Sequence, residues 1–198
     1  MYFNTASNNT AVGYQAAYTN TTGSSLVATG HTALRQNSTG SSNVASGYAA
    51  MYSNTTGSNN TGLGHNALHL NTTASENTAV GYQAGYSGAT SAMNTLVGFK
   101  AGYTQTFDGD QHSVFIGRFA GYFNTSAQHN VAVGSTSLYQ NTTGTGNVAV
   151  GFTAGQYNTT GDNQTFVGFH AGQGITGAKL TGDNNTAVGK DAGLLLQG

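Results

Sequence analysis

Side chains that could do acid–base or metal chemistry are few in this chain of 198 residues. Six histidines and six acidic residues are scattered along it, and cysteine is absent. No stretch brings together a nucleophile, a base and an acid that would orient the base. His65 and His69 have the spacing of a metal-binding pair, but that spacing places two ligands together only on a helix. We therefore predict no catalysis, no cofactor and no metal site.

Asparagines in polar turns recur with a spacing that could direct a modification. Seven of them begin an N-x-S/T sequon: Asn20, Asn37, Asn54, Asn71, Asn124, Asn141 and Asn158. Four more sequons begin at Asn8, Asn59, Asn163 and Asn184. N-glycans on the seven turns would form a regular row along one edge of the molecule. Turn chemistry is the alternative, because Asn, Thr and Gly are the residues that tight corners use.

Aromatic side chains form a second recurring set. Six of them directly follow the glycine of a recurring segment typified by NTAVGYQA: Tyr14, Tyr48, Tyr82, Phe99, Phe152 and Phe169. Such rings, flanked by Asn, Gln and Thr, can stack on sugar faces while the polar groups bond the sugar hydroxyls. The same chemistry is typical of a subunit interface. Glycan stacking and an interface are both open for this row.

The overall composition excludes several function classes. Only 6% of the residues are charged and the net charge is −1, so no basic patch for nucleic acid exists. No apolar stretch approaches the ~18 residues of a membrane span. The first residues have neither the basic start nor the apolar centre of a signal peptide. We therefore expect no nucleic-acid partner and no membrane insertion. The content of 11 Tyr and 9 Phe favours an ordered chain over a disordered one.

The element that positions these side chains is a repeat covering the chain. The segment NTAVGYQA at 9–16 returns unchanged at 77–84, with variants between and beyond. The aligned glycines are Gly13, Gly30, Gly47, Gly64, Gly81, Gly98, Gly117, Gly134, Gly151, Gly168 and Gly189. Successive glycines are 17 residues apart in eight of ten gaps, with one gap of 19 and one of 21. Such a period is typical of a solenoid, so we predict 11 coils.

Each coil has a recognisable pattern. A β-branched residue, a small residue and an aliphatic residue precede the glycine, which predicts a strand. The glycine itself predicts a corner where no Cβ is tolerated. Beyond it we predict a shorter second strand, introduced in several coils by tyrosine, and then an Asn-Gly turn with φ > 0. Alanine three residues after the glycine, in ten coils of eleven, indicates a tight space.

A 17-residue unit buries too little apolar surface to fold alone, so the coils must stack on one another. We predict one domain over 1–198: an all-β, parallel β-solenoid of 11 coils. The asparagines at the coil starts would form a hydrogen-bonded ladder: Asn9, Asn43, Asn60, Asn77, Asn94, Asn130, Asn147 and Asn185. Insertions at 107–112 and 174–183 are expected as loops at a corner.

The V-A-V-G motif followed by small residues resembles the head repeats of trimeric autotransporter adhesins (YadA-like heads), which phage-tail-fibre-like repeat proteins share. The resemblance covers about residues 9–193. It implies a left-handed roll, a homotrimer, and adhesion to a cell surface or matrix. The period of 17 is longer than that of the best-known heads, and the neck, stalk and anchor of such adhesins are missing from this sequence.

We therefore expect an extracellular fibre or adhesin segment, on a cell surface or a virion, with a structural and surface-binding role. Its partners would be further copies of itself, as a homotrimer or an end-to-end filament, and a cell-surface glycan or protein. An N-glycosylated filament is the alternative function. Ice binding by stacked threonines is a remote alternative, because adjacent threonines in a strand point to opposite faces.

Overall fold

A computed structural model describes residues 5–106, 109–175 and 180–195, and it confirms the predicted all-β, parallel β-solenoid. Within these ranges the strands are β1 (Thr10–Val12), β2 (Val27–Thr29), β3 (Val44–Ser46), β4 (Thr61–Leu63), β5 (Thr78–Val80), β6 (Ser91–Ala92), β7 (Thr95–Val97), β8 (Gly109–Asp110), β9 (Val114–Ile116), β10 (Val131–Val133), β11 (Val148–Val150), β12 (Thr165–Val167) and β13 (Thr186–Val188). Eleven of them form one sheet, and β6 pairs with β8 in a second.

The large sheet contains the segment before each aligned glycine, paired in register from coil to coil. Val44 lies beside Thr61 and Ser46 beside Leu63, for example. The middle residue of each strand points into the coil, and its two neighbours point outward. Ala45 is fully buried, whereas Val150 keeps 37% of its surface exposed. The predicted alternation is confirmed, with the β-branched residues on the outside.

The aligned glycines form the corner after each strand, as predicted. Their φ angles run from +119° to +142°, a region that other residues rarely adopt. The corner is also too crowded for a side chain. A Cβ built on Gly30 would lie 2.4 Å from the carbonyl oxygen of Gly47 in the next coil.

The second half of each coil is not the extended strand that the sequence predicts. In most coils it is a run of turns, with left-handed residues two and four positions after the glycine, such as Gln15 (φ 52°) and Ala17 (φ 47°). Each left-handed residue interrupts the alternation of a strand. The coils are still linked there, since the N–H of Ala17 donates to the carbonyl of Ala33 at 2.9 Å.

Large and small residues complement each other across the interior of the solenoid. Where the strand middle is Phe115, glycines stand opposite, and a Cβ on Gly121 would lie 2.6 Å from the ring. Where the strand middle is small, a larger residue fills the space: a Cβ on Gly62 would lie 2.9 Å from Met51 Cγ. Large side chains thus fill the space left by small residues on the opposite side of the narrow coil.

The coil-start asparagines form the predicted ladder through side-chain to backbone bonds. The Oδ1 of Asn43 accepts from the N–H of Asn60 at 2.9 Å, and its Nδ2 donates to the carbonyl of Gly57 at 2.7 Å. The same pattern links Asn60 to Asn77. Ser113 and Gln164 replace asparagine in two coils and still accept from the next coil. This ladder satisfies backbone groups that the interior would otherwise leave without a partner.

Candidate functional site

The seven turn asparagines, Asn20, Asn37, Asn54, Asn71, Asn124, Asn141 and Asn158, lie inside the solenoid. Each is fully buried. Nδ2 of Asn54 donates to Oδ1 of Asn37 at 2.7 Å and to the carbonyl of Gly57 at 2.9 Å. N-glycans attach to this nitrogen, so a glycan on these residues is incompatible with the folded coil. The prediction of N-glycans on these seven turns is therefore wrong. Their side-chain amides instead form a buried ladder of hydrogen bonds.

The turns also differ from the prediction in their backbone. The asparagine of each turn, and the glycine that follows it in five of the seven turns, have ordinary φ angles; the left-handed residue comes later, at positions such as Asn59 (φ 60°). The turn position three residues after the asparagine is crowded, since a Cβ on Gly40 would lie 2.2 Å from the carbonyl oxygen of Gly57, yet Ala74 and Ala127 are accommodated there, buried, in two other coils. Of the other sequons, Asn8, Asn59, Asn163 and Asn184 are exposed on this left-handed row.

The threonines of these turns have unequal roles. The hydroxyl of Thr55 donates to the carbonyl of Thr72 in the next coil at 3.0 Å, whereas Thr56 is exposed. One of the two adjacent threonines is therefore used to join the coils. The other threonine of the pair stays exposed, and ice binding stays a prediction.

The rings that follow the aligned glycines stack on each other along the solenoid. We call this row the first ladder; its successive centroid distances are 5.1 Å for Tyr14–His31, 5.1 Å for His31–Tyr48, 4.9 Å for Tyr48–His65, 5.3 Å for His65–Tyr82, 5.2 Å for Tyr82–Phe99 and, farther along, 5.3 Å for Phe152–Phe169. Tyr48 and Tyr82 stack on a ring at both faces, whereas Tyr14, Phe99, Phe152 and Phe169 each have one stacked neighbour among the described residues. Stacking in the ladder leaves no free ring face on Tyr48 and Tyr82; for the row as a whole, glycan stacking and an interface stay predictions.

A second row of rings, the second ladder, lies five residues after each aligned glycine. It joins Tyr52, His69, Tyr86, Tyr103, Tyr122 and Tyr139, with centroid distances from 5.0 Å to 5.4 Å. Burial, followed by the charge of neighbouring tyrosines, raises the pKa of Tyr103 and Tyr122 above the ordinary value. His65 and His69 are thus rungs of two different ladders, which explains their spacing without a metal.

A groove of about 580 Å³ runs between the two ladders near one end of the solenoid. Arg35 takes the place of a ring in the second ladder, between Tyr18 at 5.9 Å and Tyr52 at 5.5 Å from its guanidinium carbon. Its Nε donates to Oε1 of Gln15 at 2.8 Å and one Nη to the Tyr52 hydroxyl at 2.9 Å. The repeat pattern does not single out Arg35, although it is the only Lys, Arg, Asp or Glu among residues 1–75 and that isolation is the signal that marks it.

The outer side of the large sheet, which we call the valine face, carries only aliphatic residues, threonine and one serine along the whole stack. Its residues are the first and third of each strand: Thr10, Val12, Val27, Thr29, Val44, Ser46, Thr61, Leu63, Thr78, Val80, Thr95, Val97, Val114, Ile116, Val131, Val133, Val148, Val150, Thr165, Val167, Thr186 and Val188. None of them is charged. The first ladder borders this face directly, and Tyr48 and Phe152 add about half-exposed rings to it.

Titratable groups outside the ladders are sparse. The one histidine–carboxylate contact in the described ranges joins Nδ1 of His170 to Asp191 at 3.1 Å, on the surface, with Lys190 at 3.7 Å from the same carboxylate. No group of three or more metal-ligating side chains occurs among the described residues. The acidic loop with Asp108 lies outside them, and of Asp110 only the backbone is described. No described helix is long and apolar enough to cross a membrane.

Comparison with protein-family models, with curated proteins and with solved structures found no match for this chain.

Proposed function

We propose that this chain is a structural segment of an extracellular fibre, which associates with further copies of itself and adheres to surfaces without catalysing a reaction. The observation that carries the proposal is the valine face: an uncharged, largely aliphatic surface with interspersed threonines, repeated on all eleven strands of the large sheet. Continuous apolar patches of this kind are typical of interaction surfaces.

The repeat spacing favours a second copy as the partner on this face. Rows of Val and Thr recur at the strand spacing of about 4.8 Å. A partner that is to fit many successive rows must itself repeat at that spacing, as another copy does. The absence of charge on the valine face avoids repulsion between identical surfaces. The homotrimer and the left-handed coil implied by the resemblance to trimeric adhesins are part of this proposal.

An end-to-end filament is the second candidate for assembly. Strands β1 and β13 both read Thr-Ala-Val, and each pairs on one side only within the described residues. Open strand edges of matching sequence are able to pair between molecules. In this arrangement the solenoid would continue from one subunit to the next, without any glycan on the turn asparagines.

Mass measurement by light scattering, together with electron microscopy, tests the proposal. We expect particles near three times 20.1 kDa for the trimer, or long filaments for end-to-end pairing. The double variant Ile116→Lys, Val150→Lys places charges on the valine face; it should convert a trimer to monomers and leave an end-to-end filament intact. Thr73→Lys with Thr143→Lys adds the same charge on exposed turns and should leave the mass unchanged. A monomeric wild-type chain would overturn the proposal.

A further inference from the structure

We infer that the groove between the two ladders binds the carboxylate of an acidic saccharide, with Arg35 as its anchor. The inference names a ligand class for the surface-binding part of the proposed function. It does not require self-association, because the groove is formed by a single chain.

Charge is the first argument. Arg35 is the only charged side chain in the first 75 residues, and it sits in the groove instead of on an exposed turn. None of the described acidic side chains forms an ion pair with it. A partly buried guanidinium without a counter-charge loses hydration and gains no ion pair in return. An anion in the groove would supply the counter-charge that the described part of the protein does not provide for Arg35.

The geometry of the guanidinium is the second argument. One Nε–H and one Nη–H bond Gln15 and Tyr52, which fix the plane of the group. Its remaining N–H groups bond no described residue. Arginine presents such groups as a planar fork that matches the two oxygens of a carboxylate. The side chain is therefore held in place before a ligand arrives, which lowers the entropy cost of binding.

The walls of the groove favour a saccharide over an acidic peptide. Polar side chains line it beside the ring edges, among them Gln15, Thr32 and Asn66. Oδ1 of Asn66 is buried and accepts no hydrogen bond from the described residues. A polyhydroxylated ligand offers donors and acceptors along its whole length, whereas a peptide carries them mainly on its backbone. The groove's volume of about 580 Å³ lies in the range of small-molecule sites, and its polar side chains can bond sugar hydroxyls.

Arg35 could instead be only a rung that replaces tyrosine and stacks on Tyr18 and Tyr52 through cation–π contacts. The variant Arg35→Tyr separates these roles. Tyrosine is the residue that the neighbouring coils use at this position, so the variant restores a continuous ladder and is expected to fold. It removes the guanidinium and hence the carboxylate anchor.

The experiment is calorimetric titration with oligogalacturonate and with the same oligosaccharide after methyl esterification. The wild-type chain should bind the free acid, and the ester roughly 10- to 100-fold more weakly, as expected when hydrogen bonds to a charged group are lost. Arg35→Tyr should lower the affinity for the acid by the same factor. Lys100→Gln removes another cation, which lies over Phe99 and Tyr103, and should leave binding unchanged.

Four outcomes would overturn the inference: no binding of the acid, equal binding of acid and ester, an unchanged affinity in Arg35→Tyr, or equally tight binding of a glutamate oligopeptide. The titration is repeated on Ile116→Lys, Val150→Lys. A variant that is monomeric but still binds the acid shows that loss of assembly and loss of the ligand site are separate results.

Discussion

Replacing Asn54 by alanine removes one rung of the buried amide ladder and measures how much that ladder stabilises the solenoid. Asn54 makes three side-chain bonds: to Oδ1 of Asn37 at 2.7 Å, to the carbonyl of Gly57 at 2.9 Å, and from Nδ2 of Asn71 at 2.7 Å. Alanine makes none of them. The carbonyl of Gly57 keeps a bond from Asn43 at 2.7 Å, so it stays satisfied.

Two buried groups then have no partner: Oδ1 of Asn37 and one N–H of Asn71. Each unsatisfied buried group costs about 1–3 kcal/mol, so the free energy of unfolding should fall by roughly 2–6 kcal/mol. A water molecule that enters the vacated space would bring the loss to the lower end. Urea denaturation followed by circular dichroism measures this value.

Thr56→Ala is the matched control, because it destroys the same sequon while leaving Asn54 in place. Thr56 is exposed, and its side chain makes no hydrogen bond to the described residues. Its loss should change the free energy of unfolding by less than about 0.5 kcal/mol. If Asn54→Ala is no more destabilising than this control, the amide ladder does not hold the coils together and our reasoning is refuted.

Two further predictions concern the core and the second ladder. Gly121→Ala should lower the free energy of unfolding, measured in urea, by about 1–3 kcal/mol, since its Cβ would lie 2.6 Å from the ring of Phe115. Adding Phe115→Leu to this variant should recover part of the loss. A Gly121→Ala variant as stable as the wild type would contradict the tight fit. Raising the pH should leave stability constant up to about pH 9 and then lower it, because the raised pKa of Tyr103 and Tyr122 means that the unfolded chain loses these protons first. Melting curves from pH 8 to about 11 check this, and Tyr103→Phe should weaken the decline; a decline that is the same in that variant speaks against the ladder as its cause.

The regular features of the fold follow from the sequence because the repeat gives every coil nearly the same pattern of residues. Eleven copies of one alternating segment can satisfy their backbone groups by stacking in register, which fixes the parallel sheet and the corner glycines. Gly30 illustrates this, since its φ of +133° and the close approach of the next coil both exclude a side chain. The coil-start ladder follows in the same way, because asparagine recurs at one position of most coils and stacking in register brings these residues one strand spacing apart.

Other features were decided only by the tertiary structure. An alternating pattern does not say which side of a strand is inside, and the narrow coil settles this by admitting Ala45 while leaving valines exposed. The sequon at Asn54 does not indicate whether the amide of Asn54 faces water or the core. The amide is buried against Asn37, which belongs to the neighbouring coil. Arg35 likewise acquires its setting from Gln15 and Tyr52, one coil away on either side. Contacts between coils depend on where the chain turns, and local sequence preferences do not determine that.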